Sequence, residues 1–319
     1  MLNLDRLRTL RAIATYGSVS AAADVLHVTP SAVSQQIRTL ERETGHQMVT
    51  RNGRGVELTS AALLLANRAE RILGLADAAE AELQARNDMA VGQLALGAFP
   101  TAARGIVPSA LRLLADRAPQ LNVHIREMDF ASPLTHVQRG DLDIGIVQDW
   151  DHVPIPWTET VRRQLLMTDY ARVALPSHHR LAHRDVLRIS ELVDEPWISR
   201  VHRSTCHEWL LHTMREQGAE PHIVHSVTEY PTQLALVSAG VGLAMVPTLG
   251  LGHLPSGVRA VPVEPRMTRH IYAIWHPGGA KRPSVRVTVG ALVDAARGLE
   301  VVDVVSPGPA VAVDLRRSD

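Results

Sequence analysis

Residues 18–42, SVSAAADVLHVTPSAVSQQIRTLER, read as two short helices joined by a tight turn. Ser18 or Ser20 can cap the first, Ala21, Ala22 and Ala23 are strong helix formers, and Val25 and Leu26 give it an apolar side before a turn at His27 and Val28. Thr29 is an N-cap type of residue and Pro30 suits the first helical position, where its missing N–H costs nothing. On this second helix Val33, Ile37 and Leu40 share one side, while Ser31, Gln35, Arg38 and Arg42 share the other. One face packs and the other is free, the arrangement of a helix-turn-helix that reads DNA.

Ser31, Ser34, Gln35 and Gln36 near the helix N-terminus suit base edges and phosphate oxygens, and a good bidentate base contact discriminates by about 1–3 kcal/mol. Arg38 suits the phosphate backbone, and Ser20, Thr29 and Pro30 complete the candidate DNA-binding set on the two helices. The ordinary alternative is a solvated amphipathic helix, and the next residues argue against it. Gly45 can end the helix, and HQMVTRNGRGVELT, residues 46–59, forms two β-prone runs around a basic turn. This is a wing, with Arg51 and Arg54 placed to reach phosphates or a narrow minor groove. Residues 1–59 hold seven arginines against five acids, so non-specific affinity should be moderate and salt-sensitive.

Residues 7–62, LRTLRAIATYGSVSAAADVLHVTPSAVSQQIRTLERETGHQMVTRNGRGVELTSAA, closely resemble the winged helix-turn-helix of LysR-type transcriptional regulators. The match includes the GS-x-S-x-AA entry, the T-P-SAVSQQI-x-x-LE helix and the R-x-GR-x-x-x-LT wing. It departs at Ala62, where the family favours Gly, and at Met48 and Val49, where a Leu-Phe pair is common. Neither departure falls on the expected DNA face.

The chain has 319 residues and 45% hydrophobic content, enough for about two domains with sizeable cores. Aromatic content is only 3%, so the cores are expected to rely on Leu, Val, Ile and Ala. Net charge is zero, which requires an acidic remainder to balance the basic end. The single cysteine, Cys206, excludes an internal disulfide and suits a reducing cytoplasm. The start, MLNLDRLRTLRAIA, breaks its apolar pattern with charge, and no apolar run reaches the roughly 18 residues of a membrane span, so a cytoplasmic location and no membrane partner are expected.

Residues 60–88 lack Pro, and Ala62, Leu65, Ala69, Ile72, Ala76, Ala79 and Leu83 repeat at alternating spacings of three and four. This is a heptad seam, and pairing two chains along it would offer two recognition helices to a two-fold DNA site. The alternative is a helix packed on its own domain. Similar proteins use the element as a dimerising linker and often assemble into tetramers.

From residue 91 the texture becomes α/β. Strands are expected at residues 93–98, 121–127, 143–147, 161–167, 170–175, 222–227, 242–246, 258–261 and 270–275. GQLALGAF, IVPSALRLL, RGDLDIGIV, LPSHHRLA and LVSAGVGLAMVP look like landmarks of the LysR-type effector-binding region, which has two lobes like periplasmic solute-binding proteins. The resemblance implies an effector-binding domain over residues 91–298, with lobe I at about 91–167 and 268–298 and lobe II at about 168–267. The chain should cross between lobes near 168–169 and 264–269, leaving residues 299–319 as a tail. The expected fold is a winged helix-turn-helix, a long linker helix and a two-lobed α/β domain.

Ligand in such a cleft meets strand ends and helix N-termini, where free N–H groups favour anions. Thr101 and Gln148 are the candidates from lobe I, and Ser199, His202, Ser204 and Thr205 those from lobe II, in a loop made positive by Arg200 and Arg203. An anionic effector, such as a carboxylate, is expected. The histidine groups at 178, 179 and 183 and around Cys206 do not converge at metal-ligand spacings, and Gly240 and Gly242 lack a dinucleotide loop's third glycine. No metal, cofactor or catalytic motif is expected. The partners are then double-stranded promoter DNA, a small effector, further copies of the chain as homodimer or homotetramer, and RNA polymerase as a further candidate. A ligand-independent DNA-binding structural or repressor protein is the second reading.

Overall fold

A computed structural model describes residues 2–26, 28–52, 55–87, 89–129, 132–151, 154–201 and 204–299. Arg54, His202 and residues 300–319 lie outside these, and so do the side chains of Arg51 and Thr205. The N-terminal unit is built from α1 (Leu4–Tyr16), α2 (Val19–Leu26), α3 (Pro30–Thr44) and a hairpin of β1 (Val49–Asn52) with β2 (Gly55–Leu58). Leu10, Ile13, Ala22, Ala23, Val33, Ile37, Leu40 and Met48 form its core. Gly45, at φ 70°, closes α3 in a left-handed turn that a side chain would strain. Glu41 Oε1 then accepts the Met48 and Val49 N–H groups at 2.8 and 3.3 Å, which fixes the hairpin against α3.

α4 (Ser60–Asn87) follows directly. Its first half buries Ala62, Ala66, Ala69 and Leu73, the last two against Leu7 of α1. The expected seam is therefore partly used inside the chain, with the buried stripe at 62, 66, 69 and 73, whereas Leu75 and Leu83 are 73% and 66% exposed.

The C-terminal unit runs β3 (Gly92–Ala98), α5 (Pro100–Gly105), α6 (Val107–Arg117), β4 (Leu121–Glu127), α7 (Ser132–Gln138), β5 (Ile144–Trp150) and β6 (Arg162–Pro176). It continues with β7 (Leu187–Arg188), β8 (Pro196–Arg200), α8 (Thr205–Glu216), β9 (His222–Val227), α9 (Tyr230–Ser238), β10 (Ala244–Pro247), α10 (Thr248–Leu251), β11 (Val258–Glu264), β12 (Thr268–Trp275) and α11 (Pro283–Arg297). The main sheet has the order β4-β3-β5-β12-β6-β11-β7, with β10 also on β6 and a separate parallel pair β8-β9.

One expectation is corrected. The strands placed at 161–167 and 170–175 are a single strand, β6, with no break at Thr168 and Asp169. Up to Tyr170 it pairs with β12, and from Ala171 it pairs with β10 and β11, so the strand itself carries the chain from one lobe to the other. Thr168 and Asp169 look like turn residues, yet they stay extended because they face His270 and Arg269 of β12 across the ladder. The few aromatics also matter more than their number suggests: Trp150, from the end of β5, joins Trp197 and Trp209 in one cluster with the lobe II core, each 1% exposed or less.

Candidate functional site

Two surfaces hold the residues singled out from the sequence. On α3, Thr29 Oγ1 accepts the Ala32 N–H at 3.2 Å and lies 2.8 Å from Ser31 Oγ. Pro30, Ser31, Gln35, Arg38 and Arg42 are exposed along one face, while Val33, Ile37 and Leu40 are buried on the other. Gln36 and Ser34 are half-buried, and Ser34 Oγ donates to the Pro30 carbonyl at 2.9 Å, which occupies its proton. Ser18, not Ser20, caps α2, accepting the Ala21 N–H at 3.0 Å; Ser20 is exposed in the first turn.

The second surface is the seam between lobes, and its centre is Arg269 of β12, only 1% exposed. Its Nε and Nη2 donate to Asp169 Oδ2 at 2.9 and 2.6 Å, Nη1 donates to Gln148 Oε1 at 2.6 Å, and Nη2 reaches Thr101 Oγ1 at 3.4 Å. The guanidinium lies 5.6 Å from the ring centroids of both Phe99 and Trp150, so aromatic faces add cation–π attraction. Asp169 also accepts the Leu249 N–H of α10, and Thr248 Oγ1 donates to the Tyr170 carbonyl at 2.8 Å. One ion pair thus joins β12, the crossing strand β6 and the first turn of α10.

Thr101, in the first turn of α5, and Gln148, near the end of β5, therefore converge on Arg269. The lobe II candidates are arranged otherwise. Ser199 Oγ is 3.0 Å from His207 Nδ1, and Ser204 Oγ accepts the His207 N–H at 3.2 Å, so both hydroxyls are engaged within their own lobe. Ser204 is the cap of α8, leaving Thr205 as its first helical residue. Arg200 lies over the Tyr230 ring at 5.0 Å, and Cys206 Sγ is 3.0 Å from the Tyr230 hydroxyl. Burial pushes both the Cys206 thiol and the Tyr230 phenol up, and the positive charges of Arg269 and Arg200 oppose the rise without cancelling it. Cys206 is accordingly a thiol at neutral pH, the less nucleophilic form.

Arg269 and Asp169 were the residues that sequence reasoning missed. The available signal was their placement: one charge of each sign, each within a β-prone run, at the two expected crossings. Among the described residues no three His, Cys, Asp or Glu side chains gather as a metal site, and no helix is long and apolar enough to cross a membrane.

Comparison with known proteins follows the same division. Residues 4–63 match the model of the bacterial regulatory helix-turn-helix protein, lysR family, and residues 87–297 match the LysR substrate binding domain. The HTH-type transcriptional regulator AlsR of Bacillus subtilis is 29% identical over 77% of this chain and 81% of its own length. Full-length OxyR from Pseudomonas aeruginosa, solved as a point variant, shares the fold with a TM-score of 0.67 at 21% identity, covering 92% of this chain and 98% of that one. Full-length CbnR, solved in complex with its target DNA, has a TM-score of 0.53 at 22% identity over 92% of this chain and 100% of its own. The exposed face of α3 and the charged seam between the lobes thus belong to two domains that recur together, and the chain is a member of the LysR family of transcriptional regulators.

Proposed function

We propose that the chain is a ligand-responsive regulator: paired copies hold promoter DNA through α3 and the wing, and a small anionic effector at the lobe seam changes how those heads are placed. The carrying observation is Arg269, a guanidinium nearly sealed from solvent that gathers Gln148, Thr101 and Asp169 where the chain crosses between lobes. A carboxylate entering there would compete with Asp169 for the same donors, and it acts only through a difference in affinity between the two lobe arrangements. The regulator works on DNA in the cytoplasm, and RNA polymerase is the partner that a head displacement would reach.

The test is a footprint on the DNA upstream of the chain's own gene, at stated salt, with and without a pool of small organic acids and amino acids. A protected two-fold site that shifts with the pool, and stops shifting in Thr101→Ala and Gln148→Ala, is the expected result. An undiminished response in both variants would sink the seam as the effector site. One observation favours ligand-independent control: Arg269 already has its counter-ion inside the protein. Specific protection that ignores every pool would select that second reading.

A further inference from the structure

The head and the effector-binding domain meet at a second polar seam, away from Arg269. Arg11 of α1 pairs with Asp141 at 2.9 Å, and Tyr16 Oη donates to the same carboxylate at 2.9 Å. Beside these contacts a cavity of about 100 Å³ opens between the two domains, its wall including Arg11 and Gly74 on the head side and Arg139, Asp143, His276 and Arg282 on the lobe I side. One water needs roughly 15 Å³ on this measure, so the space is ample for a small polyatomic ion.

The charges around it do not balance. Asp141 is taken by Arg11 and Tyr16, and Asp143 by Arg282 and the Ala95 N–H. Arg139 is half-buried and has no acidic partner among the described residues. Three guanidinium groups thus face one cavity with two carboxylates between them. A guanidinium has five N–H donors in a fixed fork, suited to the paired oxygens of an oxyanion and poorly served by water alone.

We propose that this cavity binds a small oxyanion, of phosphate or carboxylate type, and that the ion fastens the DNA-binding head to lobe I. The site exists only while both walls are together, because Arg11 and Gly74 come from α1 and α4 and the rest from the other domain. An ion bound there stabilises the docked head by mass action, and docking raises affinity for the ion by the same factor. This is a regulatory input distinct from the effector seam, and it stands whether or not an effector binds beside Arg269.

Inorganic phosphate is the probe, titrated calorimetrically into the full-length chain against sodium chloride at matched ionic strength, with amide hydrogen exchange on the same samples. Saturable binding is expected, with slower exchange in residues 4–16 and 138–143, and with affinity lowered about tenfold or more in Arg139→Ala. Gly74→Glu is the second variant: no atom lies within 4 Å of a Cβ at that position, so α4 accepts the side chain and its carboxylate takes the place of the ion. Phosphate binding should vanish there while the thermal transition stays cooperative. Acetate and sulfate run in parallel identify whether carboxylate suffices, and binding of either supports the site. Absence of saturable binding by all three ions overturns the proposal, as does binding that both variants leave unchanged. Protection confined to the residues around Arg269 also overturns it, and leaves the effector reading standing.

Discussion

Arg269 and Asp169 are both sealed from solvent, with side chains 1% exposed, and neither charge could be tolerated there alone. Removing two ions from water costs several kcal/mol each, and mutual attraction with added hydrogen bonds must offset it. Here Gln148, Thr101 and the Leu249 N–H supply those bonds. Arg269→Met leaves a buried carboxylate without its cation and should cost about 3–5 kcal/mol in urea unfolding. The double variant Arg269→Met with Asp169→Asn keeps an acceptor for Leu249 and removes both charges. It should recover more than half of that loss, and a double variant as unstable as the single would show that packing, not charge, sets the cost. At this scale the sequence was half legible. Thr101 and Gln148 stood out because they follow or end strands, but a buried arginine is spelled like a surface one, and its burial comes from β12 lying between β5 and β6.

Element by element, the reading was best where local chemistry alone determines structure. Thr29, Pro30 and Gly45 mark both ends of α3, since a cap, a fixed φ and a left-handed closing turn need no tertiary partner. Thr29→Ala should lower head stability by about 1 kcal/mol, visible as a lower melting temperature. Arg38 is exposed on the same face as Gln35, and Arg38→Ala should weaken DNA binding on all sequences and reduce the slope of log affinity against log salt by about 1. An unchanged slope would remove Arg38 from the phosphate-contacting set. Two elements were less legible because their partners lie far away in sequence. β6 looked like two strands until its ladder changed partner midway, and α4 looked like one heptad seam although α1 occupies part of it. Leu75 and Leu83 remain outside that contact. If α4 pairs two chains, Leu75→Asp with Leu83→Asp should shift sedimentation toward the monomer while leaving the circular dichroism spectrum intact.

Across the whole molecule, no hydrophobic cluster among the described residues spans both domains; α4 packs beside residues 277–281, and α1 adds polar contacts of which Tyr16 is the one that reports on docking. Its hydroxyl donates to Asp141 at 2.9 Å and lies 3.1 Å from His136 Nδ1, with the two rings stacked at 6.1 Å between centroids. Burial first, and then the Asp141 carboxylate, push the Tyr16 phenol from 10.0 up to about 12, while Arg139 and Arg11 pull the other way. The sign of the linkage follows from that rise. Below about pH 10 the phenol is neutral folded and unfolded, and its contribution is fully present. Above pH 10 the unfolded chain gives up this proton and the folded chain keeps it, so the stabilisation fades as pH rises toward about 12. Tyr16→Phe keeps the ring and loses the hydroxyl, and should cost about 1 kcal/mol or somewhat more, because the acceptor is charged. The stability gap between wild type and Tyr16→Phe should then be constant at neutral pH and narrow in the alkaline range. Comparing the two chains cancels the other raised phenol, Tyr230, which both retain. A gap that stays constant well above pH 10 would mean that Tyr16 is not held by Asp141 and that the head is not docked on lobe I in solution.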